Sequence, residues 1–122
     1  MSDSVLLTIV RDSILEVYQV KRLIDKHSLL QKYPILSTAM NCTVTIYLNN
    51  EPRNTFSSCN EKSLLENIIL SAKKAAFEDT THPPLSASKY LHCKISLTLH
   101  TNDGDISEID EPLVKDENAL IL

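Results

Sequence analysis

Gly104 is the only glycine in 122 residues. Phosphate-cradling loops of the P-loop or dinucleotide type need several glycines close together, so both are excluded. Tryptophan is absent and only 5% of the chain is aromatic, so a core must be built mostly from Leu, Ile, Val and Ala. Three cysteines, Cys42, Cys59 and Cys93, stand without CxxC spacing and in odd number. That argues against a disulfide framework or a cysteine zinc knuckle. There is no dense Lys/Arg cluster, which disfavours nucleic-acid binding. The start, MSDSVLLTIVRD, has no basic flank and only a short apolar run, so neither a signal peptide nor a membrane span is expected. The expected compartment is a reducing cytoplasm.

The chain is rich in aliphatic residues. With 43% hydrophobic residues, it is composed for one ordinary domain with one core. The net charge of −4 is uneven: from Asp103 onward seven acids stand against one lysine. Such a segment reads as a solvated edge or loop. The NDGD at 102–105 lacks the alternating acids and closing glutamate of an EF-hand, so no metal or other cofactor is expected.

Apolar periodicity predicts a first helix through Leu6, Ile9, Val10, Ile14, Val17 and Ile24, capped by Ser2 or Ser4 and ending near Asp25. Arg11, Asp12, Glu16 and Lys26 fall between those positions, on the polar side. The HSLLQKYP that follows reads as non-helical ahead of Pro34. NCTVTIYL, 41–48, alternates as a half-buried strand, NNEP turns the chain, and RNTFSSC is irregular or an edge strand. A second helix follows, capped by Asn60 or by a Ser63–Glu66 capping box. Leu64, Ile68, Ala72, Ala75 and Ala76 form its apolar face, and THPP stops it. CKISLTLH, 93–100, is a strand, TNDGD a hairpin turn, and DISEID and ALIL are short strand candidates. The order predicts an α+β fold, an antiparallel sheet with two main helices packed on it. The apolar ALIL needs cover, so a homodimer or a covering partner segment is expected.

Within this pattern, Ala75-Ala76-Phe77, Asp79, Pro83-Pro84-Leu85, Leu91, Cys93 and Ile95-Ser96-Leu97 resemble the AMMECR domain family. Its members carry a stretch like AAFxDxRFPPL followed by a strand ending VSVL or VSLL. LLTIVRDSI, 6–14, resembles the family's first helix, and CTVTIYLNNEPR the strand leading to its LRGCIG motif. On that motif this chain reads Pro52-Arg53-Asn54-Thr55-Phe56-Ser57. Only Arg53 matches; Thr55 stands at the cysteine position and both glycines are gone. Thr81-His82 replaces the family's RF, and the LPQVA-like C-terminal segment is missing. The chain thus looks like a shortened, divergent member or a fragment. The resemblance implies an α+β fold and a partnership rather than a reaction. Relatives are associated with a Memo-like protein and a radical S-adenosylmethionine protein.

Four residues are the site candidates. Asp79 and His82 could form a carboxylate-oriented imidazole, or His82 could simply cap helix carbonyls. Cys59 could be a nucleophile activated by a helix start near Asn60, or an inert thiol. Arg53 could grip a carboxylate or phosphate bidentately, or pair with Glu51 or Asp79. Cys42 and Cys93 read as buried apolar thiols. His92 and His100, if on one strand, lie roughly 26 Å apart and cannot share an ion. The lead reading is a non-catalytic or degenerate protein-interaction module. The alternative is a small-molecule-binding domain or enzyme using Arg53, Asp79, His82 and Cys59.

Overall fold

The computed structural model describes residues 4–79 and 82–114. Helix α1 (Val5–Gln19) starts where Ser4 caps it, its hydroxyl accepting from the amides of Leu6 and Leu7. It ends at Gln19, six residues before the expected boundary near Asp25. Val20 takes a left-handed conformation, φ 51°, an uncommon state for a β-branched residue. Two interactions hold the reversal. The Lys21 amide donates to Glu16 O, and the Glu16 carboxylate accepts the amides of Leu23 and Ile24. The fold-back still buries Ile24, so the apolar periodicity at that position is met by a loop and not by a helix. The stretch expected to be irregular instead forms α2 (Lys26–Lys32), capped by Asp25. Pro34 then opens a 3-10 turn over 34–37.

Strands β1 (Asn41–Leu48) and β2 (Glu51–Ser57) form a hairpin. Asn49 and Asn50 have φ of 56° and 65°, the paired positive values of a type I′ turn that asparagine tolerates. Helix α3 (Leu64–Phe77) is capped by Ser63, whose hydroxyl accepts the Glu66 amide, so Ser63 and not Asn60 is the cap, with the serine half of the expected box in place. The Glu66 carboxylate takes Lys26 across to α2. Ala72, Ala75 and Ala76 are fully buried, which lets α3 lie close on the sheet. A further helix not expected from the sequence, α4 (Ala87–His92), is capped by Ser86. It leads into β3 (Lys94–Thr101) and β4 (Gly104–Ile109).

The sheet order is β2-β1-β3-β4, with every neighbour antiparallel. α3 packs on β1 and β2, while α1 packs on α3 and β3. Val44, Ile46, Ile95 and Leu97 are buried beneath them; the opposite face of the sheet carries Thr43, Thr45, Ser96 and Thr98. This is the α+β architecture with two main helices. The strand candidate ALIL lies outside the described residues.

Arg11 departs from the amphipathic reading. It is buried, not on a polar face. Its guanidinium bonds both carboxylate oxygens of Asp110 at 2.8 and 3.0 Å. It also donates to the carbonyls of Tyr90, Cys93 and Glu111 and lies 5.0 Å from the Tyr90 ring centroid. Asp110 in turn accepts the Ile95 amide. One acid of the segment read as solvated therefore ties β4's exit to α1.

Candidate functional site

The corner after α3 brings several sequence candidates to the outer edge of β2. Leu85 turns back to donate its amide to Ala76 O at 2.7 Å, so the two prolines close the corner onto the helix end. The Tyr18 hydroxyl donates to Leu85 O, and its ring meets Phe77 and Tyr90 edge-on. Burial pushes the Tyr18 phenol up to about 12, with Cys93 and Tyr90 adding to the effect. Asp79, anchored by this corner, accepts the Thr55 amide at 3.0 Å. An edge-strand donor is thereby covered by a carboxylate. His82 is exposed, and its amide contacts Asp79 O at 3.4 Å. Because α3 ends at Phe77 with Glu78 as its cap, His82 stands outside the last helical turn.

Arg53 lies two residues before Thr55. Ile46 pairs with Asn54 and Tyr47 with Pro52, so Arg53 is the extra residue of a β-bulge. Bulges unpair a residue and re-aim its side chain. Arg53 Nε is buried without a hydrogen-bond partner among the described residues, and so are both amide atoms of Asn54. Asn54 is fully buried on the helix-covered side of β2. A buried polar group left unpaired costs about 1–3 kcal/mol, so two adjacent residues with such groups are an unusual local concentration. Sequence reading found Arg53, Asp79 and His82 but missed Asn54. The signal was an asparagine at an inward position of a strand, opposite Ile46.

Cys59 does not join this group. Arg53 and Ser57 are four residues apart on β2, roughly 13 Å at strand rise, and Cys59 lies two residues beyond the strand end. It is exposed, and the helix start is at Ser63, not Asn60. Cys42 and Cys93 are fully buried, and burial pushes both thiols up. His92 ends α4 and is not in β3 with His100. Among the described residues no three His, Cys, Asp or Glu side chains gather as a metal site.

The open face holds a second polar array. Asp105 Oδ1 and His100 Nδ1 are 2.9 Å apart, His100 Nε2 and Thr43 Oγ1 2.7 Å, and Thr43 Oγ1 and Ser57 Oγ 2.7 Å. The order acid, imidazole, hydroxyl is that of a nucleophile triad. However, the His100 and Asp105 side chains keep 38% and 61% of their exposure. Water competes for every such bond, and the array continues as the Thr45–Thr55 and Thr98–Ser107 pairs. It is a cross-strand ladder of hydroxyls.

No protein-family model and no curated protein matches the chain. Among solved structures it is similar to the crystal structure of an uncharacterized protein, PH0010, from Pyrococcus horikoshii. The TM-score is 0.66 at 20% identity, over 77% of this chain and 48% of that one. The chain thus spans about half the length of that protein. At this identity the likeness establishes a shared fold and no shared chemistry. No helix among the described residues is long and apolar enough to cross a membrane.

Proposed function

We propose that the chain is a small cytoplasmic AMMECR-like domain that works through a protein partner and not by catalysis. The outer edge of β4 carries this reading. β4 ends the sheet order, and its Ile106 and Ile109 are 57% and 56% exposed. Leu113 and Val114 follow, also exposed, and the Val114 amide donates to Leu91 O, adding the exposed Leu91 to the same strip. The opposite edge is covered by Asp79 at Thr55 and interrupted by Pro52. An edge that has no neighbouring strand among the described residues, and that carries apolar flanks, accepts a strand from another chain. Loss of the family's Gly and Cys positions at 52–57 supports the non-catalytic side of the proposal. The resemblance names the partner class as a Memo-like or radical S-adenosylmethionine protein, and a second copy of the chain would use the same edge. Calorimetric titration against those two proteins from the same genome, with light scattering for self-association, tests the proposal. Saturable binding that Ile106→Lys and Ile109→Lys weaken by about tenfold or more is expected. Absence of both association and self-association would sink it.

A second reading, a small-molecule site at Arg53, Asp79 and His82, is favoured by the unpaired polar atoms of Arg53 and Asn54. Such atoms suit a ligand bearing a carboxylate or phosphate for Arg53 and an amide-matching edge for Asn54. Asn54→Leu separates the roles. It should raise stability by about 1 kcal/mol, since it removes a buried unpaired amide, and it should abolish thermal shifts induced by dicarboxylates or phosphate esters. If the wild type shows no such shift with any member of the panel, this reading fails.

A further inference from the structure

α2 presents a puzzle that the β4 edge does not touch. It has seven residues, none of them fully buried, and its contact with the core is the half-buried Leu29, although helices this short gain their stability mainly from packing an apolar face. Its groove-facing residues are Ser28, Leu29 and Lys32, and with the capping Asp25 they are spaced i, i+3, i+4 and i+7. α1 presents Val5, Thr8, Ile9 and Asp12 with the same spacing. The two stripes do not close on each other; they line a groove of about 330 Å³ with Leu23, Ile24 and Tyr33. Ile9 and Ile24 are its buried apolar residues. Two charges of opposite sign stand on opposite walls, Asp12 on α1 and Lys32 on α2. Neither forms an ion pair among the described residues, whereas the neighbouring Glu16 is held by Lys73 and the amides of Leu23 and Ile24. Asp25, the other acid of the groove, is committed to capping Ser28.

We infer that this groove binds a small zwitterion with an apolar side chain, an aliphatic or aromatic amino acid or its dipeptide. Its ammonium would meet Asp12, its carboxylate Lys32, and its side chain the Ile9–Ile24 floor. The volume lies at the small end of ligand pockets, which suits a metabolite better than a protein helix. Asp12 is half-buried, and burial followed by the proximity of Glu16 raises its pKa; a bound cation would offset both effects by favouring the ionised carboxylate. Leu29 already packs against the core, and the ligand would extend that apolar contact along α2.

The test is a nuclear magnetic resonance titration of the isotope-labelled chain. L-leucine, L-phenylalanine and Leu-Leu are compared with leucinamide and N-acetylleucine, which each lack one charge. Saturable shifts at millimolar concentration, confined to residues 5–12 and 23–33, are expected for the zwitterions. The one-charge analogues should bind at least about tenfold more weakly, as each loses one charge-assisted bond. Asp12→Asn and Lys32→Met should weaken the zwitterions to a similar degree while signals outside the groove stay in place. The single amino acids and the dipeptide distinguish the two sources. The inference is overturned if no zwitterion gives saturable shifts, if the one-charge analogues bind equally well, or if both variants bind like the wild type. Should Asp12→Asn fail to fold, Lys32→Met alone decides. None of these readouts involves the β4 edge, so this result and the partner result are independent.

Discussion

Removing Arg11 would strand Asp110 and leave the carbonyls of Tyr90, Cys93 and Glu111 without their shared donor. Burial alone would lower the Arg11 pKa, but the bond and charge of Asp110 outweigh it and raise the value, so the guanidinium stays charged throughout the working range. Breaking a buried pair by deleting one partner costs about 3–5 kcal/mol. Arg11→Met should therefore lose about 3 kcal/mol in urea denaturation, the low end because the Asp110 side chain is 22% exposed. Arg11→Lys should recover only a small part, since a lysine has no fork to serve a carboxylate and three carbonyls together. Arg11 was misjudged from sequence because periodicity assigns a residue to a face and says nothing of where a long side chain ends. Asn54 escaped notice for a related reason. RNTFSSC reads from sequence as irregular or an edge strand, which assigns position 54 to no face, and an asparagine carries no mark of whether its amide finds partners.

Between α1 and α2, one carboxylate does the work of a helix turn. Burial would raise the Glu16 pKa, but the bonds from Ile24, Lys73 and Leu23 together lower it below its ordinary 4.5. A depressed carboxylate contributes stability that is complete above the unfolded-state value and is lost as pH falls through the folded one. Thermal or urea melts should thus show stability falling as pH drops below about 4.5, and Glu16→Gln should make that fall shallower. At neutral pH the same variant should cost about 2 kcal/mol, the weight of hydrogen bonds to a charged group. A Glu16→Gln chain with unaltered stability at pH 7 would contradict the clamp. The sequence narrows α1's start to Ser2 or Ser4, of which Ser4 is used, but does not show its end, because Val20 is an improbable left-handed residue and the Glu16 bonds that compensate lie beyond any helical pattern. α2 and α4 were missed because each is a turn or two long, too short for periodicity to register.

Taken across the molecule, the helices shield one sheet face and leave the other as a hydroxyl ladder, so the core lies on one side of the sheet. Cys42 and Cys93 lie within that core and Cys59 outside it. Under native conditions a maleimide should label one thiol promptly and the other two only through opening of the fold. If the opening that frees them is global, their labelling is slowed by about a thousandfold or more. Mass spectrometry of partly labelled chain checks this; equal labelling of all three cysteines would contradict the fold. In Arg11→Met the Cys93 rate should rise most, as the guanidinium lies against that thiol.

Turn chemistry, caps and alternation made β1, α3, β3, both hairpin turns and the α+β class legible along the chain. Each depends on residues within a few positions of one another, such as Ser63 with Glu66 or Asn49 with Asn50. The antiparallel sheet follows from those elements and their short connections. The burial of Arg11, the bulge that re-aims Arg53, the exclusion of Cys59 from the Arg53 corner and the groove between α1 and α2 were settled only when distant segments met. Arg11 and Asp110 are 99 positions apart, and Asp79 reaches Thr55 across 24. The physical reason is one of range. Backbone preferences and side-chain period act over a turn or two, while desolvation and charge pairing are set by whichever groups the closed chain brings into contact.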